Sequence, residues 1–176
     1  MGETEHTRAA ARRALFELYR ERGDCVWVEA TGSSMLPFIR DGFWLLVDFG
    51  LREARLGEIA VFPCGDRIVG HRVVRGSQSH GVGVLATKGD ARLEFDPPVP
   101  AGELLGVVRG LRRTRDGATA AGACRGPGAL SLALISAGIG HAANAAGPRA
   151  RRLLRGGARQ AHAVALGVSS IVRRTE

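Results

Sequence analysis

Between residues 25 and 112 the sequence breaks into six short β-rich runs, 25–31, 43–49, 57–62, 67–75, 82–87 and 103–112, with no long helix between them. Turn chemistry separates the runs: Asp41-Gly42, Cys64-Gly65-Asp66, Arg75-Gly76-Ser77, Lys88-Gly89-Asp90 and Pro97-Pro98-Val99-Pro100. Strands joined without a crossover helix pair as antiparallel neighbours. The pattern therefore predicts a mainly β, partly closed antiparallel domain over residues 25–113. A doubly wound nucleotide fold is disfavoured, and Gly81-Val82-Gly83 lacks the helix that a phosphate loop needs.

On either side of this region the texture differs. Residues 4–22, within a segment 1–24, read as an amphipathic helix packed on the core, with Ala11, Leu15 and Leu18 at i, i+4, i+7 and Phe16 and Tyr19 beside them. Residues 114–128 read as a linker ending in Gly126-Pro127-Gly128, and 129–176 as an Ala/Gly/Arg-rich helical tail. Charge divides at the same place. Residues 1–117 hold 17 Lys and Arg against 16 Asp and Glu, while 118–176 hold 8 Arg against Glu176 alone. The tail is thus the expected seat of any basic binding. Its stretch 126–148 is uncharged but marginal as a single membrane segment, because Ala and Gly dominate it. Residues 149–174 set Leu154, Ala158, Ala161, Ala165 and Val168 on one stripe, with arginines off it. Such a helix either lies on an anionic membrane or partner, or covers the β domain. No aromatics interleave its arginines, so nucleic acid is not an expected partner. The charged opening from Glu3 predicts neither a leader nor an N-terminal span, and localisation in the cytoplasm or at a membrane periphery. Cys25, Cys64 and Cys124 lack metal or Cys-x-x-Cys spacing and read as buried or inert thiols.

Chemistry concentrates in three stretches. Thr31-Gly32-Ser33-Ser34-Met35-Leu36-Pro37 puts hydroxyls on a Gly-led turn between two apolar strands, where a serine nucleophile meets both substrate and backbone N–H groups. Ile68-Val69-Gly70-His71-Arg72-Val73-Val74 carries a histidine on a strand, and Thr87-Lys88-Gly89-Asp90 is followed by Asp96. In order and spacing, together with Asp41-Gly42 and Leu56-Gly57-Glu58-Ile59-Ala60-Val61-Phe62, these stretches resemble the signal peptidase I superfamily, which also holds the self-cleaving repressors of the SOS response. The resemblance covers about residues 26–110.

The resemblance implies a signal-peptidase-like β fold and names Ser34, directly before Met35, as the nucleophile. Bacterial members place a lysine base on the second stretch, whereas the archaeal and endoplasmic-reticulum branch places a histidine there. Here that residue is His71, and 67–75 contain no lysine. Asp96 matches the third triad member and Asp90 the turn aspartate, with a structural or orienting role in the active site. The oxyanion would be held by the Ser34 backbone N–H and a second donor, Thr31, Ser33 or another N–H; the hydroxyl that bacterial members carry two residues before the nucleophile is replaced by Gly32. Glu58 stands where the family usually has Asp.

Alternatives read from the residues remain. Ser33 could be the reactive hydroxyl, His71 an ordinary strand histidine, and Lys88 a substitute base. The expected function is a serine endopeptidase cleaving a peptide or preprotein by acyl transfer, with no metal, nucleotide or redox cofactor. The rivals are a soluble maturation protease or self-cleaving regulator, with residues 117–124 offering a small-residue bond, and a non-catalytic binding module with a basic tail.

Overall fold

The computed structural model describes residues 2–79, 82–119 and 127–145. All six predicted runs form strands: β1 (Cys25–Glu29), β2 (Trp44–Asp48), β3 (Ile59–Cys64), β4 (Arg67–Ser79), β5 (Val82–Lys88) and, after a two-residue β6 (Val99–Pro100), β7 (Gly106–Arg112). Helix α1 (Gly2–Arg22) precedes them and α2 (Pro127–Ala145) follows. The strands make one antiparallel sheet in the order β1-β2-β7-β3-β4-β5-β6, which is not closed into a barrel. Strand β6 arises inside a predicted proline turn. Pro100 has no N–H to give a second neighbour, and an edge position asks for none.

Alternation along the strands builds a core on each face of the sheet. On β3, Ile59 and Val61 join one cluster with Met35, Phe38, Val47 and Phe49. Ala60 and Phe62, between and beyond them, join the other with Val73, Leu85 and Leu104. The same alternation decides where the polar residues of β4 and β5 go. His71 lies opposite Ala60, and Arg72 lies opposite Ile59 on the other face. Thr87 lies opposite Val73, and Lys88 opposite Arg72.

Helix α1 packs with a different face from the predicted one. Leu15 and Leu18 are 43% and 46% exposed, while Phe16 is buried. The Phe16 ring meets Phe49 edge-on at 5.3 Å between centroids, and Tyr19 stacks obliquely on Phe49 at 5.4 Å. Aromatic rings bury more apolar surface than leucines, and their contact sets the roll of the helix. Arg20 then ties its last turn to the Gly102 carbonyl at 2.8 Å.

Helix α2 begins within the predicted linker and packs on the sheet. Ala129, Leu132, Ala133, Ser136, Gly140 and Ala143 form its buried stripe, and Leu132 enters the core. The stripe is inconspicuous in sequence because small residues carry little hydropathy, yet they let backbones approach closely. At Gly57, whose φ is +89°, an added Cβ would stand 2.7 Å from the Ala129 carbonyl. Both the conformation and the contact require glycine there. Among the described residues no helix is long and apolar enough to cross a membrane. The basic stripe expected over 149–174, residues 120–126 with Cys124, and His80 and His162 lie outside the described residues. Cys25 is exposed rather than buried, and both it and Cys64 are free thiols.

Leu132→Ala should cost about 2–5 kcal/mol, the usual range for a buried leucine, whereas Leu134→Ala on the exposed face should stay within about 0.5 kcal/mol. Urea melts of the two variants check this. Equal effects would show that α2 does not belong to the core.

Candidate active site

The loop between β1 and β2 holds the first residue of the site. Ala30 N–H donates to the Phe43 carbonyl at 2.7 Å and Gly42 N–H to Ala30 at 2.9 Å, closing the loop at its base. Asp41 Oδ1 accepts from Gly32 N–H at 2.8 Å, pinning the turn that carries Ser33 and Ser34. Met35, Phe38 and Ile39 of the same loop are buried in the core, so Ser34 sits at the rim of a fixed base. From the outside, the Ala91 N–H donates to the Ser34 carbonyl at 2.8 Å.

Three of the predicted residues meet in one line. Ser34 Oγ is 2.9 Å from His71 Nε2, and His71 Nδ1 is 2.8 Å from Asp96 Oδ2. A carboxylate only accepts, so Nδ1 carries the hydrogen and Nε2 accepts from the Ser34 hydroxyl. Thr87 Oγ1 donates to the same Asp96 oxygen at 2.9 Å, and Asp96 N–H donates to the Thr87 carbonyl at 3.0 Å. Thr87 and His71 reach Asp96 together because both occupy one face of the sheet. The His71 side chain is 6% exposed and that of Asp96 11%, and the Phe62 ring stands edge-on to the imidazole at 6.3 Å. Low exposure keeps water from competing for these bonds.

Asp90 occupies a different place. Its two oxygens accept from Arg72 Nε and Nη2 at 2.9 and 2.7 Å, both side chains are without solvent exposure, and Arg72 Nη1 also donates to the Gly57 carbonyl at 2.8 Å. The pair fastens the 89–92 turn to β4 from the face opposite His71. Gly89, between Lys88 and Asp90, is in the closest contact with the site. A Cβ there would lie 2.7 Å from the Ser34 carbonyl oxygen and 3.2 Å from His71 Nε2. Only glycine allows this approach.

Lys88 points away from Ser34. Its Nζ donates to Ser136 Oγ of α2 at 2.9 Å and to the Gly89 carbonyl at 3.2 Å. Burial pushes the amine down to about 8, against the pull of Asp90, Asp96 and Glu94 and with a smaller push from Arg72. A lowered amine is what a lysine base needs, but the alternation of β5 sends it to the wrong face. His6 and His141 also stand apart from the triad line: His6 faces Asp66 at 3.6 Å and His141 packs on Phe95.

In front of Ser34 and His71 opens a cleft of about 1080 Å³. Ser33, Leu36, Ile68 and Val69 line it together with the first half of α1. Apolar Leu36, Ile68 and Val69 share its walls with a larger number of polar and charged side chains. The sequence pointed to Ser34, His71 and Asp96, but not to the roles of Thr87, Gly89 and Ser136. Thr87 and Gly89 stand within the quoted motif. Nothing near Ser136 marks it, since its partner lies 48 residues away. Among the described residues no cluster of His, Cys, Asp and Glu has the makings of a metal site.

Residues 3–86, just under half of the chain, match the profile of the family described as Peptidase S24-like, in agreement with the resemblance carried by the Ser34 and His71 stretches. The match spans Ser34 and His71 and stops short of Asp90 and Asp96. No curated protein and no solved structure matches the chain.

Two outcomes are expected. Arg72→Met, which takes both guanidinium bonds from the buried Asp90 carboxylate, and Asp90→Ala, which takes both from the guanidinium, should destabilise, the first by about 3–5 kcal/mol in urea. Lys88 acts on stability through pH. Its folded value of about 8 lies below the ordinary 10.5, so between these the unfolded chain binds more protons and this group's contribution rises with pH. Lys88→Met should flatten that part of a stability–pH curve; an unchanged slope would contradict the assignment.

Proposed function

We propose that this chain, with its Peptidase S24-like match, is a serine endopeptidase of signal-peptidase-like architecture that cleaves a peptide or preprotein. The observation that carries the reading is the continuous hydrogen-bonded line Ser34–His71–Asp96 at the floor of a cleft. Ser34 Oγ attacks the scissile carbonyl while His71 Nε2 takes its proton. The tetrahedral oxyanion is held by the backbone N–H of Ser34, with Ser33 as the second donor. Collapse breaks the C–N bond, and the imidazolium returns its proton to the leaving amine. Water, deprotonated by His71 in turn, then releases the acyl group from Ser34. Asp96 fixes the tautomer and balances the charge on His71 in both halves. Asp90 works through the turn it holds and touches no reacting atom.

The superfamily's self-cleaving members favour a second reading, in which this site cuts its own chain. Cleavage in cis would proceed at a rate independent of protein concentration, which intact-mass measurements over a dilution series distinguish. The charge of the tail, 8 Arg against one Glu, supports peripheral binding to an anionic surface in either case.

Ser34→Ala should abolish both peptide cleavage and labelling by a fluorophosphonate probe, while Ser33→Ala leaves labelling in place. His71→Ala should lower kcat on the order of 10⁴-fold or more, and Asp96→Asn by about 10⁴-fold with the fold intact. Lys88→Met should be mild by comparison. Full activity in His71→Ala, or its loss in Lys88→Met with an unchanged melting temperature, would make the site a serine–lysine one.

A further inference from the structure

The walls of the cleft carry a charge that the triad does not use. Arg8 and Arg12 of α1, Arg67 at the start of β4 and Arg92 of the 89–92 turn all line it. The one carboxylate among the lining residues, Asp66, is faced by His6 at 3.6 Å, both of them largely exposed. None of the four arginines makes an ion pair among the described residues. Their placement follows from the fold. Arg8, Arg12 and Phe16 stand at i, i+4 and i+8 on one helical stripe, so the aromatic contact that docks Phe16 on Phe49 also turns the two arginines over the cleft. Arg92 is close to the chemistry. Its Cγ lies 2.7 Å from the point where a Cβ on Gly89 would stand, and that point is also 2.7 Å from the Ser34 carbonyl oxygen.

We infer that the substrate of this site is an acidic peptide segment, with Asp or Glu side chains within a few residues of the scissile bond. The inference rests on the peptidase reading and adds the substrate's charge to it. A concave site with one sign of charge attracts its opposite and raises the encounter rate as well as the affinity. Guanidinium groups are also suited to carboxylates in particular, since their paired N–H groups match the two oxygens. Arg92 selects the residue beside the reacting bond, and Arg8 and Arg12 select residues further along the chain. A peptide is favoured over a nucleic acid because the same cleft holds Leu36, Ile68 and Val69, and no Phe, Tyr or Trp ring on which a base could stack.

Two measurements on the full chain test this. In the first, a degenerate synthetic peptide library is digested and the cleavage sites are read by mass spectrometry. Asp and Glu should be enriched around the cut, and Lys and Arg depleted. Matched peptides with Asp or Asn beside the bond should differ about tenfold in kcat/KM, and the gap should shrink as salt rises from about 0.01 M to about 1 M, where screening shortens from roughly 30 Å to roughly 3 Å. Arg8→Glu with Arg12→Glu should turn the preference toward basic peptides, a reversal that a merely structural role for these side chains would not produce. In the second, the Ser34→Ala protein is titrated with fluorescent oligo-aspartate and oligo-asparagine peptides, the first expected to bind about tenfold tighter. Cleavage with no enrichment of acidic residues would overturn the inference and leave the peptidase standing. Tight binding of oligo-aspartate without cleavage or probe labelling would keep the acidic site and sink the peptidase. Equal affinity for the two peptides, or preference for a single-stranded oligonucleotide over oligo-aspartate, would also overturn it.

Discussion

A doubly bonded ion pair with no solvent exposure joins Arg72 of β4 to Asp90 of the turn beyond β5. Two charges so deeply buried are a heavy desolvation cost, offset only where geometry is good and the remaining donors are used. Here both carboxylate oxygens are bonded, and a further guanidinium N–H reaches the Gly57 carbonyl. Arg72 also lies over the Phe38 ring at 5.8 Å, and thereby touches the loop that carries Ser34. One side chain thus connects the serine loop, the histidine strand and the glycine turn from behind. The spacing of Ser34, His71 and Gly89 depends on it without its taking part in the chemistry.

The sheet divides labour between neighbours. His71 and Arg72 are consecutive, as are Thr87 and Lys88, and the pleat sends the members of each couple to opposite faces. His71 and Thr87 converge on Asp96; Arg72 and Lys88 face the side covered by α2. A slip of one residue in β4 or β5 would exchange the two sets and put a guanidinium where the imidazole stands. That register is fixed by apolar residues on both faces, since Val73 and Leu85 belong to one core and Ile59 and Val61 to the other.

The six strand runs, and the three residues that meet as Ser34, His71 and Asp96, were legible in the sequence because each is local: turn residues bracket every run, and the three residues each sit in a recognisable context. What could not be read depended on contacts between distant segments. The roll of α1 turns on Phe16 finding Phe49, against a leucine stripe that is the better amphipathic pattern on paper. Helix α2 docks through alanines and glycines whose value lies in closeness rather than in hydropathy. Asp90 and Lys88 were visible as residues of a turn, but their partners, Arg72 and Ser136, lie on other elements. The glycine at 89 looked like turn punctuation, although its lack of a side chain is what lets the turn touch the site.

The strand order has a consequence for when the site comes into being. Strand β7 lies between β2 and β3. Ser34 belongs to the loop of the β1–β2 hairpin, whereas His71 and Asp96 belong to the β3–β6 part. Among the described strands, the last to be synthesised is therefore the seam that joins the Ser34 loop to the part holding His71 and Asp96. Before residues 106–112 have left the ribosome, the two halves share no backbone ladder, and non-local pairing of this kind forms late. A nascent chain therefore carries Ser34, His71 and Asp96 for some time before the strand that ties their two halves together exists.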